Sequence, residues 1–86
     1  MKTFNYIVKD LMGLHAHPAT LIFNEANKFV SSIKIHYDEN EINCKSVISI
    51  MTACVPKNAE ITISINGIDE DDAYNAIYNI FFNNNL

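Results

Sequence analysis

The sequence has no tryptophan and no arginine, so six scattered lysines carry all of its permanent side-chain positive charge. Ten aspartates and glutamates outnumber them, and the net charge is −4 at neutral pH. Proteins that bind nucleic acid present a basic face to the phosphate backbone. This charge balance therefore argues against a nucleic-acid partner.

Cysteines and long apolar runs are also scarce. Cys44 and Cys54 form neither a disulfide framework nor a C-x-x-C motif for redox chemistry or zinc. We expect two reduced thiols, buried or half-buried, in a cytoplasmic protein. No apolar run approaches the roughly 18 residues of a membrane-spanning helix. Asn5, Lys9 and Asp10 interrupt the first ten residues, so we expect neither a signal peptide nor a membrane partner.

The apolar residues that are present suffice for one hydrophobic core. Hydrophobic residues make up 49% of the 86 positions, and a domain of this size buries about 60–65% of its unfolded surface. There is no linker, internal repeat or low-complexity tract except the asparagines at 83–85. We therefore expect a single domain spanning residues 1–86.

Hydrophobic periodicity predicts seven elements in the order βαββαβα. Alternating apolar residues predict four strands, over Thr3–Val8, Ile33–Tyr37, Ile42–Cys44 and Ile61–Ile65. Apolar residues three and four positions apart predict three helices, over Ala19–Phe29, Val47–Cys54 and from Asp69 onward. Such a mixed pattern predicts an α+β fold, with an antiparallel sheet and helices packed on one face.

The starts of the last two helices carry polar residues that favour capping. Ser46 precedes a helical face formed by Val47, Ile50, Met51 and Cys54, so we expect it to be an N-cap. Ile48 falls off that face and should be partly exposed. We expect Asp69 to cap the last helix in the same way. His36 alternates with apolar residues on a strand, which predicts an ordinary solvated side chain.

The segment Gly13–Thr20 has the strongest chemical signal in the chain. It lies where the first strand gives way to the first helix, which puts His15 at, or one position before, a helix N-terminus. The first amides of a helix lack intrahelical partners and favour an anion. Pro18 fits a first helical turn because it has no N–H to leave unpaired. A neutral imidazole at this position can serve as a nucleophile beside a phosphate-sized anion site.

Three segments together resemble the HPr-type phosphocarriers of the phosphoenolpyruvate-dependent sugar phosphotransferase system. They are Gly13–Thr20, Asn43–Met51 and Asn66–Ala73, and the resemblance extends over the whole chain. It implies an open-faced β-sandwich, with a four-stranded antiparallel sheet and three helices on one face. It also implies a protein that carries a phosphoryl group without turning over substrate alone, and that needs no cofactor or bound metal.

The resemblance assigns roles to particular residues. His15 would accept a phosphoryl group on Nδ1 from phosphorylated enzyme I and pass it to EIIA domains of sugar permeases. Ser46 would be the target of a regulatory kinase, HPr kinase/phosphorylase. Val47, Ile48 and Met51 would form the apolar patch that docks enzyme I and a catabolite control transcription factor.

One residue inside the segment Gly13–Thr20 departs from the family pattern. The family has arginine two positions after the active histidine, and this chain has His17. Arginine is always charged and offers several donors, whereas histidine offers at most two, and only when protonated. A charge-assisted hydrogen bond contributes roughly 1.5–3 kcal/mol, so the substitution could slow transfer by about one to two decades. Alternatively, His17 merely faces solvent; the sequence leaves both interpretations open.

Two other functional classes are also compatible with the sequence. In one, the protein is a regulatory binding module controlled by phosphorylation of Ser46, with little or no transfer through His15. In the other, His15 and His17 contribute to a metal site, although two ligands are too few for a closed one. Retention of His15 favours the carrier, and the missing arginine favours the regulatory module.

Overall fold

The computed structural model describes all 86 residues and contains four strands and three helices. The strands are β1 (Lys2–Ile7), β2 (Ser32–Tyr37), β3 (Asn40–Asn43) and β4 (Glu60–Asn66). The helices are α1 (Ala16–Ala26), α2 (Val47–Thr52) and α3 (Glu70–Asn83). The predicted order βαββαβα is confirmed.

The four strands form one antiparallel sheet in the order β1-β4-β2-β3. Ile63 of the central strand β4 lies opposite Phe4 of β1 on one side and Ile35 of β2 on the other. Because side chains alternate along a strand, these apolar residues share one face, and the other face carries polar residues. The helices cover the apolar face, so the predicted open-faced sandwich is confirmed.

The core lies between the sheet and the helices and contains twenty buried apolar residues. Phe81 of α3 packs edge-on against Phe4 and Tyr6 of β1, at ring-centroid distances of 5.9 and 4.9 Å. The Tyr6 hydroxyl donates to the Phe81 carbonyl oxygen over 3.1 Å, which satisfies a buried polar group. These contacts hold α3 against the edge of the sheet.

Helix α1 is displaced toward the N-terminus relative to the prediction of Ala19–Phe29. It begins at Ala16, three residues before the predicted start. Apolar periodicity does not detect this first turn, because Ala16 and His17 are exposed. It ends at Ala26, where the amides of Lys28 and Phe29 donate to carbonyls only three residues back. Such bonds tighten the last turn and close the helix.

Helix α2 is shorter than its apolar spacing predicted, and this changes two assignments. It ends at Thr52, and Cys54 follows with a φ of +53°. Cys54 is therefore exposed, so the expectation of a buried or half-buried thiol is wrong for it and correct for Cys44. Met51 of the predicted helical face is 42% exposed, which leaves Ile50 as the only buried residue of α2. Ile48 is 70% exposed, as expected.

Asp69 occupies the N-cap position of α3, as predicted, but its side chain makes no capping hydrogen bond, so that part of the prediction is wrong. Its carboxylate accepts hydrogen bonds from the backbone amides of Val30 and Ser31, both at 2.9 Å, and from the Ser31 hydroxyl. These bonds, the one from the Ser31 hydroxyl foremost, hold the pKa of Asp69 below its ordinary value. Asp69 thereby ties the segment after α1 to the start of α3.

Replacing Asp69 by asparagine should destabilise the protein at neutral pH and progressively less in acid. Because the folded-state pKa is lowered, the stabilisation is complete above the unfolded pKa near 4 and disappears as pH falls through the folded pKa. Thermal unfolding followed by circular dichroism from pH 7 to about pH 2.5 measures this. Asp72→Asn is the matched control, since it removes a carboxylate from the first turn of α3 without breaking these bonds. A deficit for Asp69→Asn that is constant with pH would contradict the assignment.

Candidate functional site

His15 is the N-cap residue of α1, which confirms its predicted position at the helix N-terminus. Its backbone is extended, with φ −85° and ψ −162°. Its carbonyl oxygen accepts the Ala19 amide at 2.9 Å and so begins the helical hydrogen-bond ladder. The imidazole ring is therefore held directly at the start of the helix.

The first turn of α1 leaves backbone donors free beside that ring. The amides of Ala16 and His17 donate to no group in the protein, and Pro18, the third helical residue, has no N–H. No side chain caps the helix, and its first turn contains no acidic residue. Two unpaired amides at the positive end of a helix dipole can hold the oxygens of an anion.

Asp10 is a site residue that the sequence did not reveal. Its Oδ1 lies 3.2 Å from Nε2 of His15, and both side chains are about one-third exposed. The same oxygen accepts the Met12 amide at 3.0 Å, which fixes the carboxylate in place. When Nε2–H donates to Asp10, the lone pair lies on Nδ1, and Nδ1 makes no hydrogen bond within the protein. The only sequence signal for Asp10 as a site residue is its position in the loop just before His15. That position does not determine which side chain its carboxylate contacts.

The loop that carries His15 is held by distant parts of the chain. The amides of Lys9 and Asp10 donate to the carbonyl oxygen of Leu86, at 3.0 and 2.9 Å. The Leu14 amide donates to the carbonyl oxygen of Val55 at 2.9 Å, and Leu14 is buried. The segments that follow α3 and α2 therefore position the loop that carries His15.

Gly13→Ala should both destabilise the protein and displace His15. Gly13 has a φ of +69°, and a Cβ there would lie 2.1 Å from the Val55 carbonyl oxygen. The left-handed conformation alone costs an L-residue about 1–2 kcal/mol, and the clash adds to that. Chemical denaturation and the rate of phosphorylation together measure the effect.

Asp38→Ala is the control for Gly13→Ala, because Asp38 also has a positive φ, of +53°, in the exposed turn between β2 and β3. We expect it to lose less stability and to accept phosphate normally. Equal phosphorylation rates for Gly13→Ala and the wild type would show that the loop tolerates the methyl group.

His17 lies in the first turn of α1 with an exposed side chain that makes no hydrogen bond or ion pair within the protein. It is thus close in sequence to His15 but unrestrained. Cys44 is buried under the sheet, and burial raises the pKa of its thiol to about 12. The structure contains no group of three or more His, Cys, Asp and Glu side chains placed to hold a metal ion.

Ser46 is the N-cap of α2, as its position predicted. Its Oγ accepts the Ser49 amide at 3.2 Å. The residues that follow it present apolar surface: Val47 is half-buried, while Ile48 and Met51 are exposed. The capping hydroxyl therefore lies at the border of an apolar surface.

Leu11 and Met12 are two further exposed apolar residues that the sequence did not single out. They are 80% and 73% exposed, in the loop immediately before His15. The sequence signal for this exposed apolar surface was two large apolar side chains in a predicted loop, which does not by itself determine whether they are buried or exposed. The name apolar patch is kept below for Val47, Ile48 and Met51 alone.

Comparison with known proteins agrees with this geometry. A family model described as "PTS HPr component phosphorylation site" matches residues 2–83. The phosphocarrier protein HPr of Mycoplasma pneumoniae is 45% identical over 78 residues, which cover 90% of this chain and 89% of that protein.

Solved structures show the same likeness. A mycoplasma histidine-containing phosphocarrier protein superposes with a TM-score of 0.95 at 38% identity, covering 99% of this chain and 97% of that one. A phosphocarrier protein HPr from Bacillus anthracis superposes with a TM-score of 0.81 at 33% identity, covering 92% and 94%.

An open-faced sandwich with a histidine at the start of its first helix is the architecture of a histidine-containing phosphocarrier. The chain belongs to the HPr family. It is a phosphocarrier protein of the sugar phosphotransferase system. No helix in the structure has both the length and the apolar composition that crossing a bilayer requires.

Proposed function

We propose that His15 carries the phosphoryl group on Nδ1. The observation that supports this assignment is the 3.2 Å contact of Nε2 with Asp10, at the N-cap of a helix whose first two amides are free. The Nδ1 lone pair attacks phosphorus, a P–N bond forms, and the bond from phosphorus to the donor breaks. The Asp10 carboxylate stabilises the imidazolium that results, since its partner Nε2–H becomes more acidic.

The free amides of Ala16 and His17 have a role in the same step. They donate to the phosphoryl oxygens in place of water, so the negative charge meets donors that are already oriented. Because the helix supplies these donors in both the free and the phosphorylated protein, little reorganisation is needed in either direction. Such an arrangement suits a carrier, which has to accept and release the group with similar ease.

The donor in this proposal is phosphorylated enzyme I, and the acceptors are EIIA domains of sugar permeases. The chain itself acts as a protein substrate and not as an enzyme. Exposed apolar residues beside a reactive group are typical of a docking surface. The apolar patch therefore supports docking of both partners in turn, and Leu11 and Met12 add exposed apolar side chains in the loop just before His15.

Reconstitution tests this function directly. The protein is incubated with enzyme I and phosphoenolpyruvate, and its intact mass is followed against time. We expect a gain of one phosphoryl group that is lost in acid, followed by its transfer to an added EIIA domain. No gain in the presence of an enzyme I that phosphorylates a reference HPr would favour the regulatory binding module instead.

We further propose that phosphorylation of Ser46 regulates docking. A phosphate on its Oγ would lie at the N-terminus of α2, where the free amides favour negative charge, so the helix should persist. The added charge would lie beside Val47 and Ile48 and weaken apolar contacts there. HPr kinase/phosphorylase would be the modifying enzyme, and a catabolite control transcription factor would be a partner of the modified form.

Ser46→Asp should slow phosphorylation of His15 by enzyme I roughly tenfold, corresponding to about 1.4 kcal/mol of weakened docking. Asparagine caps helices as well as aspartate but carries no charge. Ser46→Asn is therefore the matched control and should react at the wild-type rate. Equal slowing in both variants would indicate a structural effect of the lost hydroxyl and count against charge regulation.

A further inference from the structure

The open face of the sheet contains a shallow hollow that is remote in sequence from the His15 loop. Its lining is almost entirely polar and includes side chains from three adjacent strands, namely Lys34 and His36 of β2, Glu41 of β3 and Ser64 of β4. Ser64 is 9% exposed, and His36 is about one-third exposed. The phosphocarrier function uses none of these residues.

Three of these side chains lie side by side: Ser64 is hydrogen bonded to His36, and Glu41 lies on the other side of the imidazole at ion-pair distance. Nε2 of His36 lies 2.8 Å from Oγ of Ser64, and Nδ1 of His36 lies 3.9 Å from Oε2 of Glu41. The strand register explains the arrangement. His36 lies directly opposite Glu41 on one side, and on the other it is diagonal to Ser64, which lies opposite Lys34. Paired and diagonal neighbours on one face of a sheet are within reach of long side chains.

The order serine, histidine, carboxylate is that of an activated nucleophile. The negative charge of Glu41 lies 3.9 Å from Nδ1, too far for a hydrogen bond but close enough to favour a proton on that nitrogen electrostatically. In that tautomer the Nε2 lone pair accepts the Ser64 hydroxyl proton. Alternation along the strand predicts only an ordinary solvated side chain for His36. The three residues are 5 and 23 positions apart, and only the sheet brings them together.

We propose that Ser64 is a nucleophilic serine that accepts acyl or phosphonyl groups from activated donors such as short-chain esters. His36 acts as general base, and Glu41 is a positioning residue. The Ser64 oxygen bonds to the acyl carbon, the bond from that carbon to the leaving oxygen breaks, and His36 moves the serine proton to the leaving group. The products are an O-acylserine and an alcohol.

The surroundings of Ser64 define what this site can do. Strand β4 is paired on both sides, so its backbone amides are used in the sheet and do not form an oxyanion hole. Lys34, opposite Ser64, is the nearest strand neighbour with a positive charge, although its Nζ is bound to Glu41 at 2.8 Å. The site therefore reacts once with donors that carry a good leaving group and retains the acyl group.

Labelling with a fluorophosphonate tests the proposal. The reagent replaces fluoride on phosphorus by a serine oxygen with release of hydrogen fluoride, and peptide mass spectrometry locates the adduct. We expect one label, on Ser64, which Ser64→Ala abolishes. His36→Gln should slow labelling by about 100-fold, the usual contribution of a general base. Absence of label on the wild type, or equal labelling rates in His36→Gln, would overturn the proposal.

Thr62→Ala is the matched control for these variants. Thr62 shares the strand and the face of Ser64, but its hydroxyl bonds to Asn5 and not to His36. It should be labelled at the wild-type rate. Phosphorylation of His15 in each variant verifies that the fold is intact, and we expect it to be unchanged.

The role of Glu41 has a separate readout in rescue by a conservative variant. Glu41 and Lys34 are the charged side chains that line the hollow around His36, while the α-amino group of Met1 is paired to Glu70 at 3.1 Å. In Glu41→Gln labelling should slow, and Glu41→Asp, which keeps the negative charge, should recover most of the rate. Equal labelling rates in Glu41→Gln and the wild type would remove Glu41 from the proposal.

Discussion

Replacing His15 by alanine should abolish phosphoryl acceptance from enzyme I, with no detectable gain in mass under conditions that fully modify the wild type. His15 is the only imidazole at the N-terminus of α1 that a carboxylate orients, since His17 in the same turn has no such partner. The side chain is one-third exposed and makes a single hydrogen bond, so its removal should leave the fold intact.

The measurement is intact mass against time, with circular dichroism to verify the fold. His17→Ala is the matched control, because it removes an imidazole from the same turn and should still gain an acid-labile phosphate. Nitrogen NMR of the phosphorylated wild type then shows which ring nitrogen is modified, and we expect Nδ1. A phosphate gained by His15→Ala would place the acceptor elsewhere, and a phosphate on Nε2 would contradict the role given to Asp10.

The second large effect is expected from His17→Arg, which should speed phosphorylation through His15 by about one to two decades. An arginine beside the phosphoryl group would add a permanently charged donor, and a charge-assisted hydrogen bond contributes roughly 1.5–3 kcal/mol. The exposed, unpaired His17 side chain leaves space for the larger residue without disturbing a contact. Initial rates of mass gain at limiting enzyme I give the comparison.

A second substitution separates a supporting His17 from one that merely faces solvent. If the His17 imidazole assists transfer as a hydrogen-bond donor, His17→Ala should accept phosphate more slowly than the wild type. Initial rates of both variants are measured at the same limiting concentration of enzyme I. A wild-type rate in His17→Ala would show that His17 has no part in transfer.

Much of the architecture is predictable from the amino-acid sequence, because it depends on local periodicity. The alternation in Ile61–Ile65 and the helical spacing through Ala73 and Phe81 predict elements that the structure confirms. The Ser46 cap and the position of His15 were predictable for the same reason, since capping involves residues a few positions apart. The predicted ends of α1 and α2 differ from the observed ones, because apolar spacing there does not coincide with the helical hydrogen bonds.

The amino-acid sequence by itself determined the seven elements, the nucleophile at the start of α1 and the cap of α2, because each follows from short-range spacing. Only the tertiary structure decided how Asp10 meets Nε2 of His15, how Leu86 holds that loop, and how Asp69 binds the chain after α1. It also decided that His36, Ser64 and Glu41 meet on the open face. The physical reason is that loop closure and strand register join residues distant along the chain, and no local periodicity encodes which side chains they bring together.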